Sequence, residues 1–161
     1  MNKYMRIICL FISAVMFLSA FILISSQAST IAPDFNLNDI NNQPVTLSSY
    51  RDKSPVLLFF WTTWCPYCLN QLKLLNKMYP ELVKDGIEVL AVNLREAKAK
   101  VEKFIKRYDI NYRVLLDSDA QAAYAYDILG IPTYVLIDKK GNIVFSDNYF
   151  PEKEYKNLLL K

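Results

Sequence analysis

The chain has 161 residues, 53% of them hydrophobic and 22% charged, enough for one buried core and too few for two ordinary domains. Its 19 basic and 16 acidic residues give +3, and removing Lys3 and Arg6 leaves 17 against 16, a balance that does not point to nucleic acid. There is no histidine and there are three cysteines, too few for a zinc site of about four such ligands, and three glycines exclude a phosphate-cradling loop.

Lys3 and Arg6 precede residues 7–24, an apolar run without a charge, and small residues follow through Ser29. As a helix this run would span about 27 Å at ~1.5 Å per residue, close to the ~30 Å hydrocarbon layer, so it suits a retained membrane anchor. Ser26-Gln27-Ala28 places small residues at both positions a signal peptidase reads, which suits cleavage instead. Residues 1–28 are therefore expected to be a signal peptide or an N-terminal anchor. Residues 29–161 then form a domain on the extracytoplasmic side, because the leading positive charges stay inside.

Residues 32–37 and 44–47 alternate around the turn-rich hexamer 38–43 and predict a β-hairpin. After Pro55, six consecutive apolar residues at 56–61 suit a central strand buried on both faces. This strand leads through Thr62-Thr63-Trp64 into Cys65-Pro66-Tyr67-Cys68, and residues 69–78 then carry apolar side chains at helical spacing. That helix meets Pro80, which kinks it or starts a new turn ending at Lys84-Asp85-Gly86. Strands are expected at 87–94, 112–116 and 133–137, and helices at 96–108 and at 119–128, the latter capped by Asp117 or Ser118. Lys98, Lys100, Lys103, Lys106 and Arg107 alternate with Val101, Phe104 and Ile105, the pattern of a solvated helix face. Residues 138–142 turn the third long strand back into 143–145, so the sheet is mixed, and Pro151 opens a last helix through residue 160. The order describes an α/β fold with helices on both faces of the sheet.

The dithiol lies at the mouth of a helix, where the first N–H groups lack internal partners and the aligned peptide dipoles favour negative charge. A free thiol has a pKa of ~8.5, and within Cys-X-X-Cys at such a position it falls to ~3.5–7.5. Cys65 is the expected nucleophile, and Cys68, one turn on and more buried, the resolving thiol of an internal disulfide. A purely structural staple is a poor alternative, since so short a loop constrains the unfolded chain little.

Ala32-Pro33-Asp34-Phe35, the run from Phe60 to Cys68, Val89-Leu90-Ala91-Val92-Asn93, Leu115-Leu116-Asp117 and Gly130-Ile131-Pro132-Thr133 occur in an order that resembles extracytoplasmic thioredoxin-like proteins of the TlpA/ResA type. The resemblance covers the chain from about residue 31 onward. It implies a thioredoxin-like fold with an N-terminal β-hairpin and a central strand-helix insert; no cofactor and no metal are expected. It implies a cis Pro132 against the dithiol, with the Ile131 backbone aimed at a bound substrate strand. Glu96 corresponds to an acidic residue that moves protons near the dithiol; if it is packed there, burial should raise its pKa above ~4.3. Read by itself, Glu96 is equally an exposed first-turn glutamate. Trp64, Pro66, Tyr67, Ile131 and Thr133 are the expected substrate contacts, with Trp61 reserved for packing.

Two departures stand out. Thioredoxins proper carry a buried aspartate where Phe59 stands, and close relatives of the ResA branch have Glu-Pro between the cysteines where this chain has Pro66-Tyr67, the pair seen in glutaredoxins. The implied activity is thiol–disulfide exchange, reducing disulfides of exported proteins such as apocytochrome c, with a membrane electron donor for recycling. Ala32-Pro33-Asp34-Phe35 and Thr62-x-x-Cys65 also resemble parts of a peroxiredoxin, which makes a thiol peroxidase using Cys65 the alternative. A copper chaperone on the same fold is disfavoured, because the longer cysteine spacing and the histidine ligand are missing.

Overall fold

The computed structural model describes residues 30–160. The apolar run 7–24, the 1–28 boundary and Cys9 lie outside the described residues. Eight strands form one sheet in the order β1-β8-β7-β4-β5-β6-β2-β3. They are β1 (Thr30–Ile31), β2 (Asn36–Asp39), β3 (Pro44–Thr46), β4 (Val56–Trp61), β5 (Glu88–Leu94), β6 (Arg113–Asp117), β7 (Thr133–Ile137) and β8 (Asn142–Asp147). Among the described residues four α-helices accompany them, α1 (Pro66–Lys84), α2 (Lys98–Tyr108), α3 (Gln121–Ala125) and α4 (Tyr155–Leu159), with one 3-10 turn at Leu47–Tyr50.

β4, β5 and β6 run parallel, β7 is antiparallel to β4, and β8 is antiparallel to β7. The β2–β3 hairpin extends the sheet beyond β6, while β1 pairs with β8 at the opposite edge. The N-terminal stretch thus crosses the sheet and closes both edges. β6 and α3 form the strand-helix insert, and the thioredoxin-like fold with its mixed sheet agrees with the sequence reading.

The unbroken apolar character of β4 follows from its position. Successive side chains of a strand point to opposite faces. Leu57, Phe59 and Trp61 pack with Leu72 and Leu75 of α1, Val101 of α2 and Tyr155 of α4. Val56, Leu58 and Phe60 pack on the other face with Leu90, Val135, Ala122 and Tyr126. A strand with helices over both faces can expose nothing polar on either. No helix among the described residues is long and apolar enough to cross a membrane.

β2 starts at Asn36 and runs to Asp39, inside the expected turn, and four other element ends differ most from expectation. α1 continues through Pro80, which removes the donor that the Asn76 carbonyl would otherwise receive but does not end the helix. α2 starts at Lys98, so Glu96 precedes it. α3 is cut to five residues by left-handed backbone at Ala120 (φ 57°) before it and at Asp127 (φ 51°) after it. Pro151 opens a turn, its carbonyl accepting the N–H groups of Glu154 and Tyr155 at 3.0 and 2.9 Å, and α4 begins only at Tyr155.

Candidate active site

Thr62, Thr63, Trp64 and Cys65 carry the chain from β4 into α1. Cys65 is the N-cap, with extended backbone (φ −86°, ψ 110°), and its Sγ accepts the N–H of Cys68 at 3.1 Å. One of the unpartnered donors of the helix end is thereby satisfied by sulfur. Pro66 occupies the first helical position, where the missing N–H has no consequence. Cys65 and Cys68 are paired in a disulfide with Cα atoms 5.2 Å apart. Cys65 is 5% exposed and Cys68 not at all. Cys68 is the more buried of the two, as expected, yet Cys65 is enclosed as well, with the Ile131 carbonyl oxygen 3.9 Å from its sulfur.

Trp64 and Tyr67 flank the disulfide with 66% and 75% of their surface exposed, and Pro66 is exposed as well. The Ile131–Pro132 bond is cis. Thr133 opens β7, is buried, and donates its hydroxyl to the Gly130 carbonyl at 2.8 Å. Asn148, just beyond β8, donates its side-chain amide to the Pro132 carbonyl at 2.6 Å and to the Thr133 hydroxyl at 3.2 Å. These bonds tie the segment from Gly130 to Thr133 to the end of the β7–β8 hairpin.

Glu96 is not the exposed first-turn glutamate, and its pKa shifts opposite to the direction expected for packing near the dithiol. Its side chain is only 4% exposed, and the residue lies before α2 rather than in the first turn. The carboxylate turns towards the loop that leads into the dithiol. Oε2 accepts the N–H of Thr63 at 2.6 Å and the Asn93 amide at 2.9 Å, while Oε1 accepts the Thr63 hydroxyl at 2.7 Å and Lys100 Nζ at 2.6 Å. Burial by itself would raise the pKa, but the hydrogen bonds from Lys100, Thr63 and Asn93 outweigh it and hold the carboxyl below its ordinary value. The rise expected from packing near the dithiol is therefore reversed. A carboxylate with four donors is stabilised in its charged form.

Phe59 is fully buried against the Tyr134 ring at 4.7 Å, so no charged group stands at that position. Trp61 packs on Phe104 at 5.2 Å, as expected. Among the described residues three buried side-chain atoms lack a hydrogen-bond partner: Trp61 Nε1, Thr62 Oγ1 and Asn93 Oδ1. Trp61 and Asn93 are paired in register at the ends of β4 and β5, and Thr62 follows directly, so these exceptions to the usual pairing of buried polar groups gather beside the site.

Sequence reasoning missed Thr63, Asn93 and Asn148. Asn93 carried a signal, a polar residue inside an apolar strand. Thr63 and Asn148 carried none, because each acts through a partner more than a dozen residues away in sequence.

The sequence model of the AhpC/TSA family matches residues 28–146. The thiol-disulfide oxidoreductase ResA of Geobacillus kaustophilus (strain HTA426) is 42% identical over 112 residues, covering 70% of this chain and 64% of that protein. ResA of Bacillus subtilis (strain 168) is 39% identical over 113 residues, 70% of this chain and 63% of that one. The matched region thus spans less than two thirds of these curated relatives. The crystal structure of a protein assigned as a thiol:disulfide interchange protein, DsbE, from Chlorobium tepidum superposes with a TM-score of 0.71 at 30% identity, over 78% of this chain and 89% of that one. The resemblance to proteins of the TlpA/ResA type is borne out by these relatives and by the shared fold. The chain belongs to the AhpC/TSA family and carries a Cys-X-X-Cys disulfide at a helix N-terminus of a thioredoxin-like fold.

Proposed function

We propose that the chain is a thiol–disulfide oxidoreductase that reduces disulfides of exported proteins on the outer side of the cytoplasmic membrane. The observation that carries this reading is the Cys65 sulfur at the N-cap of α1, 3.1 Å from the Cys68 N–H. In the reduced protein that N–H and the helix end favour a thiolate over a thiol, which makes Cys65 the attacking group. The thiolate attacks one sulfur of a substrate disulfide, and the other sulfur leaves and takes up a proton. Cys68, fully buried and one turn on, loses its proton and attacks Cys65 Sγ in the resulting mixed disulfide. The second substrate thiol departs and the internal disulfide closes, two electrons having passed from the enzyme to the substrate.

The segment Ile131, Pro132 and Thr133, together with Trp64, Pro66 and Tyr67, serves as the docking surface for the substrate chain around the reacting sulfurs. Glu96 acts as a positioning residue: it fixes Thr63 in the loop that delivers Cys65, and its lowered pKa argues against a shuttle of protons at neutral pH. An exported compartment is oxidising, so recycling of the dithiol needs a membrane electron donor. Residues 7–24 are the export signal or anchor of this arrangement. Maturation of a c-type cytochrome is the setting that the TlpA/ResA resemblance suggests.

The test offers the reduced chain insulin and, separately, hydrogen peroxide. Reduction of the insulin disulfides is the expected result. Peroxide consumption without disulfide reduction would replace this reading with a thiol peroxidase using Cys65. A dithiol potential near the ~−270 mV of thioredoxin supports a reductase, and one near ~−120 mV reverses the direction of electron flow.

A further inference from the structure

A cleft of about 410 Å³ opens beside the disulfide. Its walls come from Trp64, immediately before Cys65, from Ile131, whose carbonyl faces the Cys65 sulfur, and from Leu94, Ala123, Ile128 and Leu129. Its size and apolar lining suit a side chain of a bound polypeptide. Leu129, 99% exposed, stands at the rim with exposed Trp64 and Tyr124, so the apolar side chains here gather in one patch rather than standing singly.

The charged group on this cleft is Arg95, and no acidic residue lines it. The Arg95 guanidinium lies 5.3 Å from the centre of the Tyr124 ring and donates to the Tyr124 hydroxyl. Stacking of this kind holds the planar fork in one orientation and leaves its other N–H donors available. Among the described residues the ion pairs do not include Arg95. The backbone there is also unusual. Among the described residues six non-glycine residues have positive φ; four are Asn or Asp, which tolerate it, and the other two, Arg95 (φ 53°) and Ala120 (φ 57°), both line this cleft. An arginine held at a position glycine would occupy more cheaply places its side chain where the local backbone alone would not.

We propose that this cleft selects the substrate: an extended polypeptide segment with an apolar side chain next to the cysteine under attack and an Asp or Glu carboxylate placed to meet Arg95. The inference rests on the thiol–disulfide reading of Cys65 and Cys68 and adds a substrate class to it. The apolar side chain fills the cleft between Trp64, Leu129 and Ile131. The carboxylate supplies the anionic partner that the guanidinium, bonded only to the Tyr124 hydroxyl among the described side chains, lacks, a pairing suited to bidentate recognition.

The test uses the full chain, reduced, as a stoichiometric reagent in single turnovers. Its substrates are short leucine-containing peptides, each with one cysteine disulfide-bonded to mercaptoethanol and with Glu, Gln or Lys at one neighbouring position. Each turnover moves two electrons and two protons from the Cys65/Cys68 dithiol to the peptide disulfide, releasing the peptide thiol and mercaptoethanol. The expected order of second-order rate constants is Glu, then Gln, then Lys, with about tenfold between the extremes and a smaller ratio at high salt. R95E should reverse the order, an outcome that misfolding cannot produce, and R95K should keep it with a smaller ratio. Equal rates for the three peptides, or a native order retained by R95E, overturn the proposal. Hydroxyethyl disulfide, small and uncharged, separates the two levels: if the native chain reduces it while the peptides show no order, only the substrate class falls. If hydroxyethyl disulfide is not reduced either, the dithiol reading falls and this inference with it.

Discussion

At the end of β6 the Asp117 carboxyl accepts the N–H groups of Ala122 and Ala123 at 3.3 and 2.9 Å, whereas at the end of β4 the corresponding acceptor is the Cys65 sulfur, 3.1 Å from the Cys68 N–H. Both junctions lead a parallel strand into a helix whose first donors need partners. Oxygen is a strong acceptor, and Asp117 is buried at 1% exposure among the groups it serves. A disulfide sulfur is a weak acceptor, and it becomes a strong one only as a thiolate. The fold therefore has one junction whose cap is constant and one whose cap strengthens on reduction. The reactive group sits where the local structure is left incompletely satisfied until the chemistry supplies a charge.

Removing the sulfur has the largest effect on chemistry and little on the fold. Cys65→Ala should lower the reduction of insulin to the uncatalysed rate, while Cys68→Ala should accumulate a mixed disulfide through Cys65 that a non-reducing gel and mass spectrometry would reveal. If Cys68 alone proved indispensable for the first attack, the assignment of roles would be inverted. Asp117→Ala has the opposite profile. It leaves two buried N–H groups without their acceptor, so stability should fall by about 2 kcal/mol, the upper end for a lost cap, with hydroxyethyl disulfide still reduced at the native rate per folded molecule. Urea denaturation read by tryptophan fluorescence measures the first and a single-turnover assay the second. A stable Asp117→Ala protein would mean that the β6–α3 junction is held by packing and not by its cap.

The legible parts of the molecule were those in which one strand or helix reports on itself. Six apolar residues in a row announced β4, and the dithiol between that strand and a helical repeat announced the site. Asp117 was one of the two caps expected, with Ser118, and its carboxyl reaches past the left-handed Ala120, the actual N-cap, to serve donors further on. β1 escaped notice because two residues have no period, and its partner β8 lies more than a hundred positions along the chain. Glu96 was placed near the dithiol by the resemblance alone, beside the alternative of an exposed first-turn glutamate, and the rise in pKa attached to that placement is reversed because the Thr63 donors, 33 positions away, were not legible. Arg95 and Tyr124 are separated by 29 positions, and nothing local to either marks the pair.

The β5–α2 junction supplies the smallest effect and the finest test of the comparison. Its helix has no side-chain cap at Ala97, because the acid beside it, Glu96, serves the neighbouring β4–α1 junction instead. The Glu96 carboxyl is held below its ordinary value, so the bonds to Thr63, Asn93 and Lys100 stabilise the fold above the unfolded pKa of ~4.3 and are lost as pH falls through the lower folded value. Unfolding free energy should therefore decline in acid over that window, and Glu96→Gln should remove that component. At neutral pH the variant should be about 1 kcal/mol less stable, as an uncharged amide replaces a charged acceptor, a modest loss because Lys100 is largely exposed. The same substitution reports on the dithiol. Loss of a fixed negative charge from the loop that carries Cys65 should shift the pH profile of Cys65 alkylation to lower pH, since the thiolate then forms beside one charge fewer. Stability curves that change while the alkylation profiles superimpose would confine Glu96 to holding Thr63. Profiles that separate would show its charge acting on the thiolate as well, and the β4–α1 junction would then be tuned by an acid drawn from the next junction in the sheet.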